Sequence, residues 1–177
     1  TYKGETDTNL DVFVAKFDDD NPRVGPSEFL FSSSDVSIED GTFRLIDENK
    51  ETPQIFEFTD LNANTTNFLI NGPEVNARIN KFSFTDSRGI AVKNLTANFE
   101  YALDHMNFGD LKIKTEASEL KGDLRFNYKR EDLKFFTDKV NVTASFKDSE
   151  VSLTELNVFF DEFGVNQKAR LNTDLSG

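Results

Sequence analysis

Apolar and polar residues alternate along most of this chain. Alternation with a period of two marks a strand with one dry and one wet face. The longest clean case is Ser118–Lys129. Leu120, Leu124, Phe126 and Tyr128 fall on one side, with Gly122 among them, and Lys121, Asp123, Arg125, Asn127 and Lys129 on the other. Leu95–Leu103 repeats the pattern, with Leu95, Ala97, Phe99, Tyr101 and Leu103 against Thr96, Asn98, Glu100 and Ala102. Val140–Lys147 does the same, with Val140, Val142, Ala144 and Phe146 against Asn141, Thr143, Ser145 and Lys147. Shorter strands are expected at Asp110–Thr115 and Glu150–Thr154.

The first half is less regular, but Leu10–Phe17, Glu28–Phe31, Asp35–Asp47, Gln54–Thr59 and Val75–Thr85 all read as extended. Val75, Ala77 and Ile79 are odd, whereas Phe82 and Phe84 are even. Ile90 and Val92 slip in the same way against Leu95. A one-residue slip turns every later side chain over, so bulges are expected near Asn80–Lys81 and Lys93–Asn94. Gly, Pro, Asn and Asp mark turns at Asp40-Gly41, Asp47–Pro53, Asn71-Gly72-Pro73, Asp86–Gly89 and Phe108-Gly109-Asp110. Residues 18–27 (DDDNPRVGPS) form the longest polar break and read as a mobile loop. One segment has a different period: Leu156, Phe159, Phe160 and Phe163 fall on one face of a helix over 155–163. Ser152 or Thr154 would cap it and Gly164 would end it. A last strand would run from Val165 towards Leu175.

Length and charge narrow the classes. At 177 residues the chain forms one domain, 1–177, with no linker to divide it. A net charge of −12 argues against a nucleic-acid partner, because phosphate binding needs clustered Lys and Arg. With no Cys and a single His, thiolate chemistry, a catalytic triad and a multi-histidine metal site are removed or strained, and an enzyme is the class least favoured. No run approaches the roughly 20 apolar residues of a transmembrane helix. Neither a cofactor nor a metal is expected.

Four polar features each have an ordinary explanation. Asp18-Asp19-Asp20 lacks the alternation, the glycine and the distal glutamate of a calcium loop, and reads as a solvated turn. His105, between two strands and without a partner at ligand spacing, reads as a surface residue. The many carboxylates read as a solvated exterior. The sequons at Asn64, Asn94 and Asn141 are as frequent as chance allows in a chain rich in Asn, Ser and Thr.

The apolar stripe asks for more. The chain holds 19 Phe but 3 Tyr and no Trp, so its aromatic surface carries few polar handles. A dry sheet face must be covered. A closed β-sandwich covers it with a second sheet. A single curved sheet leaves a groove, which persists only where the groove holds something apolar.

Two stretches, KFSFTDSRGIAVKNLTANFEY (Lys81–Tyr101) with DLKIKTEASELKGDLRFNY (Asp110–Tyr128), and VSLTELNVFFDEFGVNQKARLNTDLSG (Val151–Gly177), resemble the repeat region of the TamB family in its Bacteroidota form. VSIEDGTFRLIDENKETPQIFEFTDLNAN (Val36–Asn64) fits the same grammar. The family is similar to AsmA-like proteins and to bridge-type lipid-transfer proteins. The resemblance implies an elongated all-β sheet, a β-taco with an apolar inner groove. It implies a periplasmic location, a tether to the inner membrane outside this chain, and an Omp85-family, TamA-like outer-membrane barrel as partner through regions outside this chain. It implies phospholipid transport between membranes, or a scaffold that helps insert outer-membrane proteins by strand addition. On this reading the chain is an internal piece. Leu95, Phe99, Tyr101, Leu120, Leu124, Phe126, Tyr128, Val140, Val142 and Phe146 would line the groove and touch phospholipid acyl chains.

Overall fold

The computed structural model describes residues 29–47, 54–129, 139–158 and 166–177. The expected strand Leu10–Phe17, the loop 18–27 and the helical positions Phe159, Phe160 and Phe163 lie outside them.

Nine strands build one antiparallel sheet: β1 (Leu30–Asp47), β2 (Gln54–Asn71), β3 (Glu74–Asp86), β4 (Ala91–Val92), β5 (Asn94–Tyr101), β6 (His105–Lys114), β7 (Glu119–Asn127), β8 (Asn141–Ser152) and β9 (Lys168–Ser176). Their order is β1-β2-β3-β5-β6-β7-β8-β9, with the two-residue β4 continuing the ladder on β3. Apart from β4, successive strands are neighbours throughout. A short helix, α1 (Leu153–Leu156), follows β8. Every strand among the described residues belongs to this one open sheet, so the closed β-sandwich is set aside. Its second layer is not found among the described residues.

The strands are longer than alternation alone suggests, because several expected turns are bulges. Asp40, Asp60, Asp110 and Asp148 all have positive φ, between 47° and 52°. Asp tolerates the left-handed conformation, so the same residue serves a turn or a bulge. At each the strand runs on with one extra residue: Phe108 pairs with Leu124, but Leu111 pairs with Gly122. The expected turn Phe108-Gly109-Asp110 is therefore a bulge inside β6. The expected strands at Val140–Lys147 and Glu150–Thr154 are one strand, β8, bulged at Asp148. Asp40-Gly41 is likewise a bulge inside β1.

A repeated polar clamp fixes three of these four bulges. The backbone N–H of Asp40 donates to Asn62 Oδ1 at 3.2 Å, that of Asp110 to Asp123 Oδ1 at 3.0 Å, and that of Asp148 to Asn172 Oδ1 at 2.8 Å. In each case the acceptor stands on the next strand. The bulge expected near Asn80–Lys81 is present: Asn64 pairs with Lys81 and Thr65 with Ile79, leaving Asn80 as the extra residue. The slip expected near Lys93–Asn94 falls at Lys93, between β4 and β5.

Among the described residues the buried apolar side chains are mostly small: Ala77, Ala97, Leu111, Tyr128, Val140, Ala144 and Val151.

Candidate functional site: the apolar face of the sheet

Residues paired across antiparallel strands point to the same side, so the register traces the face. One row runs Ile70, Val75, Tyr101, Met106, Phe126 and Val142. The next runs Ala77, Phe99, Phe108, Leu124, Ala144 and Leu175. A third pairs Ile79 with Ala97 and Gly122 with Phe146, and a fourth joins Leu95, Ile113 and Leu120. Eight of the ten residues expected to line a groove thus share one face and are half-buried: Leu95, Phe99, Tyr101, Leu120, Leu124, Phe126, Val142 and Phe146.

The other two differ. Tyr128 and Val140 are only 7% and 8% exposed, and offer little surface. The Tyr128 hydroxyl donates to the backbone carbonyls of Ala102 at 3.0 Å and His105 at 2.9 Å. Burial pushes its pKa up. Tyr128 locks the β5–β6 turn. Burial also raises the pKa of Tyr101, whose ring centroid lies 6.4 Å from that of Tyr128.

Aromatic rings form two clusters. Phe108 stands between Phe99 and Phe126, with centroids 5.1 Å and 6.3 Å away. Phe84 lies 4.4 Å from Phe58 and 5.2 Å from Phe82, and Phe58 stacks on Phe43 at 6.0 Å. Offset and edge contacts of this kind are favourable beyond their buried area. The sequence reading missed Met106, Phe108 and the Phe43–Phe58–Phe84 cluster. Their signal was the change of parity at each Asp bulge: Phe108 is even, whereas Leu111 and Ile113 are odd. Towards β1 the face opens to solvent, with Phe31 47%, Ile38 48% and Phe43 37% exposed.

One buried charge borders this face. Asp86 is 3% exposed and pairs in register with Phe58. It is matched within its own turn: Arg88 Nε donates at 2.8 Å, Nη2 at 2.9 Å and the Arg88 N–H at 2.7 Å. The Arg88 fork holds its carboxyl below the usual carboxylate range.

The reading of His105 as a surface residue is corrected. It opens β6, and its side chain is 16% exposed. Its Nδ1 lies 2.6 Å from Asp104 Oδ1. Its Nε2 is buried, has no hydrogen-bond partner among the described residues, and lies 3.7 Å from Glu100 Oε1. Because β6 begins at His105 itself, the residue belongs to the sheet and not to a loop. Among the described residues no group of three His, Cys, Asp or Glu side chains is placed to hold a metal.

At one end of the face α1 is tied to the β6–β7 turn. Ser152 caps the helix, accepting the Glu155 N–H at 3.4 Å. The Glu155 carboxylate does not fold back onto its own cap. It accepts from Thr115 Oγ1 at 2.6 Å, from the Ala117 N–H at 3.1 Å and from Ser118 Oγ. Ser118 Oγ in turn accepts the Ser152 N–H at 2.9 Å. Burial pushes the Glu155 carboxyl up, but the donors outweigh burial and hold it below its usual value.

Chemically this arrangement offers an apolar surface. No helix among the described residues is long and apolar enough to cross a membrane. The chain matches no family model, no curated protein and no solved structure.

Proposed function

We propose that this chain is a periplasmic segment of a TamB-like bridge between the inner and outer membranes, and that its apolar face holds phospholipid acyl chains. One observation carries the reading. A single open sheet presents rows of half-buried Leu, Val and Phe across its strands, and nothing among the described residues covers them. Acyl chains lie across the strands along these rows, each CH₂ removed from water contributing about 0.8 kcal/mol. Headgroups remain in solvent at the rim. The mechanism is passive: the face supplies a path and no energy. The inner-membrane tether and the Omp85-family barrel partner belong to the same proposal, through regions beyond this chain.

The test is native mass spectrometry of the gently purified chain, with extraction of bound lipid. Co-purifying phospholipid, lost in Phe126→Asp and Phe99→Asp variants that remain folded, supports the reading. A lipid-free chain that takes up no fluorescent lipid overturns it.

A second reading, a scaffold for nascent outer-membrane strands, is favoured by β1. It is an 18-residue strand at the end of the sheet, with one side of its backbone unpaired among the described residues. Strand addition along it predicts binding of barrel-strand peptides that is insensitive to Phe126→Asp.

A further inference from the structure

The ladder between β3 and β5 breaks in the interior of the sheet. It runs from Val75–Tyr101 to Ile79–Ala97, and β4 resumes it at Phe84–Val92 and Thr85–Ala91. The register is the same on both sides of the break, so residues 80–83 stand opposite residues 93–96. None of them pair across it. Both strands change parity here, from Ile79 and Ala97 to Phe84 and Val92. An extra residue on each strand at the same level keeps the register and costs the pairing. Each strand is still held on its other side. Lys81, Phe82 and Ser83 pair with Asn64, Ala63 and Asn62 of β2, and Asn94, Leu95 and Thr96 with Lys114, Ile113 and Lys112 of β6.

Elsewhere side chains close the irregularities. Between β7 and β8 pairing lapses from Glu119–Glu150 to Gly122–Phe146. There Ser149 Oγ accepts the Lys121 N–H at 2.8 Å and lies 3.1 Å from the Lys121 carbonyl oxygen. Asn62, Asp123 and Asn172 hold Asp bulges in the same way. Across the β3–β5 break no such side chain is found among the described residues. The aromatic clusters also stop at it. Phe43, Phe58 and Phe84 lie on β1–β3, Phe99, Phe108 and Phe126 on β5–β7, and no ring contact among the described residues joins the two groups. The sides are joined by the paired stretch 75–79 with 97–101, by the two pairs of β4, and by Arg78 Nη1, which donates to Asn98 Oδ1 at 2.9 Å.

Backbone groups without a partner in the chain turn to water. Segments held this way open at a lower free energy than the rest of a sheet. We propose that this sheet flexes at the β3–β5 seam, so that β1–β3 and β5–β9 move as two bodies. The rows through Val75–Tyr101 and Ala77–Phe99 cross the seam where it is paired. Bending there turns one aromatic cluster against the other and keeps those rows joined. The motion sets the width and curvature of the apolar face, and the proposal does not rest on what that face carries.

Two measurements on the 177-residue chain test it. The first is amide hydrogen exchange of the wild type, read by NMR. Within residues 81–83 and 94–96, amides that face the seam should exchange about a hundredfold or more faster than paired amides of residues 75–79 and 97–101. Lys121, held by Ser149, should stay protected. The second uses the absence of cysteine, which lets spin labels attach only where a cysteine is introduced. Labels at Ser37→Cys with Lys112→Cys span the seam, and labels at Lys112→Cys with Thr143→Cys stay within β6–β8. All three positions are exposed. Strand spacing and rise put each pair about 20 Å apart. In variants that keep the wild-type circular dichroism, the seam-spanning pair should give the broader distance distribution. Seam amides no faster than Lys121 and the paired stretch, or equal widths for the two label pairs, would each overturn the proposal.

Discussion

At Gly122 the backbone of β7 comes so close to β8 that a Cβ would sit 1.9 Å from the carbonyl oxygen of Ser145, with φ at +157°. The nearest atoms all belong to the backbone of Ser145 and Phe146, so Gly122→Ala must move a strand. It should cost about 2–4 kcal/mol, and a urea titration would read that as a lowered midpoint with most of the slope retained. Gly109 is the control. A Cβ there would meet its nearest neighbour, Asp123 Oδ1, at 3.8 Å, an ordinary contact. Gly109→Ala should change stability by no more than about 1 kcal/mol. Equal losses in the two variants would mean that strand propensity, not the close approach, sets the cost. Tyr128→Phe removes only a hydroxyl, but leaves two buried carbonyls of the β5–β6 turn without it. A loss of about 1 kcal/mol is expected, and no loss would mean that water replaces the bond.

At the scale of elements, α1 is held less by bonds among its own four residues than by those the Glu155 carboxylate accepts from the β6–β7 turn. The folded-state pKa of Glu155 is lowered, so its contribution is complete above the ordinary glutamate value of about 4.5 and is lost as pH falls through the folded value. Glu155→Gln should therefore cost about 1–2 kcal/mol at neutral pH. The difference from wild type should close in acid, as thermal melts at a series of pH values would show. A gap that persists in acid would assign the loss to packing instead of charge. The cap at Ser152 was legible only as one of two candidates with Thr154, and the helix starts at Leu153, two residues before the expected 155. That Glu155 reaches across to another hairpin was not legible, since no spacing in the sequence links residue 155 to residue 118. The central strands were legible for the opposite reason: unbroken alternation names the face by itself, and eight of the expected lining residues share it. The strands that were cut short all contain an Asp at positive φ. Local chemistry cannot separate a turn from a bulge there, because the deciding factor is whether a neighbouring strand supplies Asn62, Asp123 or Asn172 to hold the exposed N–H.

At the scale of the molecule, the described residues form a wide sheet with a thin interior. Ala77, Ala97 and Ala144 fill its buried middle, and among the described residues the largest fully buried side chain is Leu111. Such a core supplies little of the burial that normally offsets chain entropy. The face itself holds the remaining apolar area, and that area stabilises the fold only when something covers it. A ligand that binds the folded sheet and not the unfolded chain adds about 2.7 kcal/mol at a hundred times its Kd. For a chain of this size that raises Tm by about 5–10 °C. The melting temperature of delipidated protein should therefore climb with added phospholipid or mild detergent. Val142→Asp, on the apolar face of β8, should abolish the climb. Thr143→Asp, one residue along on the polar face, should leave it intact, because adjacent residues on a strand point to opposite sides. If melting does not respond to amphiphile, or responds equally in both variants, the apolar rows do not receive the ligand and the fold is stabilised elsewhere.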